Sequence, residues 1–126
     1  MKQIWIIDDD QEMANAMRMM LELLDCQVTS FLDARSAVQT LLIGEHPDLM
    51  VLDINMPEVS GLDLLEFLRR RPEWKGLPIV MLSTEAADVT VDQAMSLGAD
   101  GYVMKPVTIN ELEEALNAAF EKHKKG

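Results

Sequence analysis

One pattern recurs five times along this chain and restricts its fold more than any other feature: a short apolar run, a turn, then a stretch with helical periodicity. The runs are Ile4 to Ile7, Val28 to Leu32, Leu49 to Leu52, Ile79 to Leu82 and Tyr102 to Met104, with starts about 20 to 30 residues apart. That is the length of a strand plus a crossover helix, so the pattern predicts successive βα units. Between the runs, Met13, Met17, Leu21 and Leu24 share one helical face, and Leu112, Leu116, Ala119 and Phe120 repeat the arrangement near the end. Ser60 with Asp63 and Thr108 with Glu111 have the spacing of capping boxes. Gly44 and Gly98 stand where helices should stop, and Pro47 and Pro78 precede strands, where a missing N–H costs least.

The first, third and fourth runs are apolar at every position, as expected of strands covered on both faces. The second, Gln27 to Phe31, mixes in polar residues and fits an edge. A closed eight-stranded barrel needs about twice this length. The expectation is an α/β fold of three layers, an open doubly wound parallel sheet with helices on both faces. It should form a single domain over residues 1–126, with 122–126 a basic tail or the start of a linker.

Composition narrows the function classes. At 48% hydrophobic and 26% charged residues the chain has the make-up of a globular domain. No apolar run approaches the roughly 20 residues that span a bilayer, and Met1 to Ile4 lacks a leader's layout, so no membrane role is expected. A lone Cys26 allows no internal disulfide, which suits a cytoplasmic setting. Twenty-two acidic against 11 basic residues give a net charge of −11, which repels phosphate backbones and argues against direct nucleic-acid binding.

In an open parallel sheet, ligands bind beyond the carboxyl ends of the strands. The first run ends in Asp8-Asp9-Asp10, the third in Asp53 followed by Asn55, the fourth in Ser83-Thr84-Glu85, and the fifth in Lys105-Pro106. Acids, a hydroxyl and one lysine therefore converge on one rim. Two carboxylates 4 Å apart repel by about 4 kcal/mol even at an effective dielectric of 20. A hard divalent cation such as Mg²⁺, which favours oxygen ligands, would relieve that repulsion. Helix capping accounts for one aspartate of the three, not for the run. Lys105 is the only cation between Lys75 and Lys122, and it is expected to serve the same pocket. The first βα turn holds no glycine, so a phosphate-cradling nucleotide loop is excluded there. Most of the ten methionines fall at core positions. Trp5 is expected in the core, Trp74 in a loop and partly exposed, and His46 in solvent. Arg69-Arg70-Arg71 should end the third helix as dipole-matched cations or a docking patch, and Lys122 to Lys125 should do the same for the last.

Taken in order and spacing, these segments resemble the receiver domain of two-component response regulators over essentially the whole chain. The matching stretches are Ile6 to Asp10, Pro47 to Pro57 through Gly61, Pro78 to Ser83, and Gly98 to Pro106. The resemblance implies the flavodoxin-like strand order 2-1-3-4-5. It implies that Asp53 accepts a phosphoryl group, that Asp9 and Asp53 ligate Mg²⁺ directly, that Asp8 acts through water, and that Asn55 offers its backbone carbonyl. Lys105 would pair with one phosphoryl oxygen, Ser83 would hydrogen-bond another, and Tyr102 would be the switch aromatic. The implied partners are a sensor histidine kinase or phosphotransfer protein upstream and an output domain or effector downstream. The downstream contact, or a phosphorylation-dependent homodimer, would use the fourth helix near Asp88 to Leu97, the fifth strand at Tyr102 and the last helix from Asn110. Such a domain is a signalling switch rather than an enzyme. Three positions depart from the family's habit: Ser83 stands where threonine is commoner, Thr84 where a small residue is usual, and Glu58 in place of a more typical glycine, where it is expected to matter little.

Two alternatives compete. The spacing of Asp8 and Asp10 also occurs in haloacid-dehalogenase-like phosphatases, but Glu12 stands where they place a small hydroxyl or β-branched residue. A degenerate receiver serving only as an interaction module would lack pocket residues, and here every one is present.

Overall fold

The apolar runs become five strands, and each is followed by a helix. In the computed structural model, which describes residues 1–84 and 88–123, the chain runs β1 (Lys2–Ile7), α1 (Gln11–Leu23), β2 (Cys26–Phe31), α2 (Ala34–Leu42), β3 (Leu49–Asp53), α3 (Gly61–Arg69), β4 (Ile79–Ser83), α4 (Asp88–Ser96), β5 (Gly101–Met104) and α5 (Ile109–Lys122). Glu85 of the expected rim and Lys124 to Gly126 of the expected tail lie outside the described residues. All neighbouring strands are parallel, in the order β2-β1-β3-β4-β5. The order reverses between β1 and β3, which opens a crevice at their carboxyl ends.

Alternation along the strands divides the core. Trp5 and Ile7 point to the layer of α2, α3 and α4, while Ile4 and Ile6 point to α1 and α5. β3 and β4 are buried at every position, whereas β2, at the edge, alternates with exposed residues. On α1 the buried stripe is Ala14, Met17 and Leu21, flanked by half-buried Met13 and Leu24. On α5 it is Leu112, Leu116 and Ala119.

The helix signals mostly act as expected. Asp10 caps α1, accepting from the N–H groups of Glu12 and Met13. Ser60 and Asp63 form a complete capping box on α3. At α5 only half of the box forms: Thr108 Oγ1 accepts from Glu111 N–H, but the Glu111 carboxylate takes the Thr108 hydroxyl rather than its backbone N–H. Gly44 and Gly98 adopt φ of +101° and +106° at the ends of α2 and α4.

Three expectations are corrected. Trp74 is buried, because the Arg71 guanidinium lies 5.4 Å above its ring and Phe67 packs on it, covering a residue that its loop position would leave open. Arg69 is neither a simple dipole cation nor a docking residue. Its Nε donates to Gly98 O (2.9 Å), Nη1 to Leu77 O (2.7 Å) and Nη2 to Asp100 Oδ2 (3.0 Å), and Asp100 also accepts from Ile79 N–H. The side chain thus fastens α3 to the entry of β4 and to the α4–β5 turn. Glu58 adopts φ of +67°, a conformation that costs a non-glycine residue about 1 kcal/mol. It therefore matters more to the β3–α3 loop than its exposed position suggests.

Candidate functional site

Strand length sets the site. β1 ends at Ile7, so Asp8 is the first residue past the sheet and is fully buried, while Asp9 turns outward to solvent. β3 ends on Asp53, also buried, and β4 ends on buried Ser83. β5 runs into Lys105, whose side chain is 14% exposed and whose N–H donates to Ser83 O at 2.8 Å. Four strand ends therefore deliver their side chains to one crevice. The Lys105–Pro106 bond is cis.

The lysine stands between two acids. Its Nζ is 3.4 Å from Asp8 Oδ2 and 3.4 Å from Asp53 Oδ1. Asp53 Oδ1 also accepts from Asn55 N–H at 3.3 Å, and Asp8 Oδ1 accepts from Asp10 N–H at 2.9 Å. Asp8 Oδ2 is buried and accepts no hydrogen bond. Burial first, and then repulsion from Asp8, push the Asp53 carboxyl up from 3.8 to about 6, with Lys105 and the Asn55 N–H opposing the rise.

The donor set fits Mg²⁺. Asp8, Asp9 and Asp53 each offer a carboxylate oxygen, all within 4.8 Å of one another. Oxygens on an octahedral Mg²⁺ at about 2.1 Å lie about 3 Å apart when adjacent and about 4.2 Å apart when opposite. Small side-chain rotations would bring these three into that range. The donors are all hard oxygens, one of them a buried atom lacking a donor, and together they carry more charge than one lysine neutralises. Asp10 stands apart from them, committed to capping α1.

The other expected residues lie around this centre. Asn55 and Thr84 are exposed on the two loops flanking it, with Asn55 Nδ2 3.5 Å from Thr84 Oγ1. Tyr102 is half-buried on β5, packed against the layer containing α4. One neighbour was missed. A Cβ on Gly61 would come within 2.2 Å of the Asp53 carbonyl oxygen, so this glycine lets α3 begin directly against the strand end that holds Asp53. In the sequence Gly61 closes a stretch that matches the family and follows the helix cap, and neither signal gave it a role at the site.

A model of the response regulator receiver domain family matches residues 4–117. The chain is 36% identical over 110 residues to protein RcaC of Microchaete diplosiphon, covering 87% of this chain and 17% of that protein. It is 32% identical over 120 residues to the chemotaxis protein CheY of Pseudomonas aeruginosa, covering 95% of this chain and 97% of CheY. It spans 53% of PhoB, the phosphate regulon transcriptional regulatory protein of Rhizobium meliloti, and is 33% identical to it. In three dimensions it matches a sensor protein from Polaromonas sp. JS666 with a TM-score of 0.89 at 25% identity over 98% of both chains. No described helix is long and apolar enough to cross a membrane. With its strand order, its crevice of acids and its lysine in place, this chain belongs to the response regulator receiver domain family, the signalling domains of bacterial two-component systems.

Proposed function

We propose that this chain is a phospho-accepting receiver, a single cytoplasmic signalling domain that takes a phosphoryl group onto Asp53 and passes the change to a partner. The observation that carries this reading is Asp53 itself: a buried carboxylate at a strand end, 3.4 Å from a lysine and grouped with two further acids. Phosphoryl transfer asks a protein mainly for positioning and charge neutralisation, and both are built in. The donor class is a phosphohistidine on a sensor kinase or phosphotransfer protein. An Asp53 oxygen bonds to phosphorus as the P–N bond breaks, and the electron pair returns to the imidazole nitrogen, which takes a proton from water. Attack of water on phosphorus later breaks the bond to Asp53 and releases phosphate.

Lys105 neutralises the incoming oxygens and holds Asp53 oriented. Asp8, Asp9, Asp53 and the Asn55 carbonyl would hold Mg²⁺, which when bound supplies positive charge to the reacting phosphoryl oxygens. Ser83 would hydrogen-bond the new group and move toward it. Tyr102, half-buried on β5, can follow into the space vacated, altering the face formed by α4, β5 and α5. That face is the proposed contact for an output domain or effector.

Incubation with acetyl phosphate and Mg²⁺, read by intact mass, tests the assignment. The parent should gain one phosphoryl mass, and Asp53→Asn should gain none while melting as a folded protein. Full labelling of Asp53→Asn would refute it.

A further inference from the structure

α2 and α3 lie side by side on one face of the sheet, and the seam between them stays open. A groove of about 320 Å³ is walled by Val38 on α2, Val59, and Leu64 and Phe67 on α3. Phe67 is 38% exposed, and Leu42, one turn below Val38, is 60% exposed. The charges around the seam follow an order. α2 carries Arg35 at its upper end, by the carboxyl edge of the sheet, and Glu45 just beyond its lower end. α3 carries Asp63 at its upper end and Arg70 and Arg71 at its lower end. Arg35 and Glu45 form no salt bridge among the described residues.

We infer that the α2–α3 face docks a second copy of this chain in a weak, antiparallel, two-fold dimer. A two-fold axis lying across both helices sets each helix against its own copy, running in the opposite direction. Arg35 then faces Glu45 of the other copy, and Asp63 faces Arg70 and Arg71. Phe67, between Asp63 and Arg70 along the exposed side of α3, meets its counterpart. Antiparallel helices also oppose their dipoles favourably. The helices' own sequence order makes the face complementary to itself, which no unrelated partner would require. The ion pair Arg70–Glu66 is exposed and costs little to exchange, while Arg71 stays over the Trp74 ring. Two nine-residue helices offer less than the roughly 800 Å² per partner of a standard interface, so the dimer belongs to the weak, transient class. It is separate from the α4–β5–α5 face, and neither the site nor its phosphorylation is needed for it to form.

Sedimentation equilibrium from about 10 µM to about 1 mM, spanning the range of weak complexes, tests it. The parent should shift from monomer toward dimer across that range, with concentration-dependent amide shifts at Val38, Val59 and Phe67. Arg35→Glu and Glu45→Arg should each weaken association at least tenfold by opposing like charges. The double variant, with the parent's composition of charge, should return to within about threefold of the parent. A chain that stays monomeric throughout would overturn the inference. So would association that ignores both single changes, a double variant that is not restored, or shifts on α4, β5 and α5 instead.

Discussion

Asp53 makes the metal-free protein's stability depend on pH in a direction opposite to that of most aspartates. Its carboxyl, at 3.8 when unperturbed, is pushed up to about 6 in the folded chain. Between these values the folded state keeps a proton that the unfolded chain has already released. Stability therefore falls as pH rises from about 4 to about 6 and stays low above that. The full displacement corresponds to a ceiling of about 3 kcal/mol, and the water-facing mouth of the crevice brings the expected loss down to about 1–2 kcal/mol. For a domain of this size that is about 4–8 °C in melting temperature. The assay is urea denaturation in EDTA at about pH 5, 6 and 7.5, comparing the parent with Asp53→Asn. Every titratable group but Asp53 is common to both proteins, so the difference between the two curves isolates Asp53. The parent should lose stability with rising pH relative to Asp53→Asn. Added Mg²⁺ should reverse the trend, because proton and metal compete for the same carboxylate and metal gains as the proton leaves. Parallel curves for parent and variant, with or without Mg²⁺, would refute the reasoning.

Gly61→Ala should cost about 2–4 kcal/mol, since the added methyl meets backbone rather than a movable side chain, and labelling of Asp53 by acetyl phosphate should slow at least tenfold as the strand end is displaced. Melting and intact-mass time courses read both effects. Arg69→Ala should lower stability by about 3–5 kcal/mol, because it removes the charge partner of half-buried Asp100 and leaves several carbonyls without their donor, and a loss under about 1 kcal/mol would show the fastening to be ornamental. Glu58→Gly should raise stability by at most about 0.5 kcal/mol, relief at φ +67° being largely offset by the added flexibility of the unfolded chain; chemical denaturation reads it.

The layers were legible because burial on both faces leaves an unbroken apolar run, as in Leu49 to Leu52 and Ile79 to Leu82, while the helices keep a one-sided stripe. The polar character of β2 even marked an edge. Strand order was another matter: no residue in β1 says which strands flank it, and the order came only through the family's likeness. The acids of the rim were legible because a charge directly after an apolar strand has few places to go. What escaped were arrangements that depend on distant backbone. Arg69 differs from Arg70 in nothing local. Only the carbonyls of Leu77 and Gly98, brought over it by β4 and the α4–β5 turn, make it structural. Trp74 is covered by a side chain three residues earlier, folded back over its ring. Glu58 occupies a left-handed position that its residue type does not announce.

The charge balance of the crevice explains why its parts belong together. Three carboxylates face one ammonium, which leaves an excess of two negative charges when Asp53 is ionised. A divalent cation matches that excess, and a monovalent one does not. Without metal, burial first and then repulsion from Asp8 raise the Asp53 carboxyl, so that a proton does part of the cation's work. On the proposed function, phosphorylation replaces one charge on Asp53 with roughly two and adds three acceptor oxygens. Lys105 and the cation were already balanced against the unmodified site, so the new oxygens need new donors. Buried Ser83 ends the neighbouring strand, and its backbone oxygen is held by Lys105 N–H. On that reading its hydroxyl supplies one of those donors, and its movement is what a partner on the proposed α4–β5–α5 face would sense.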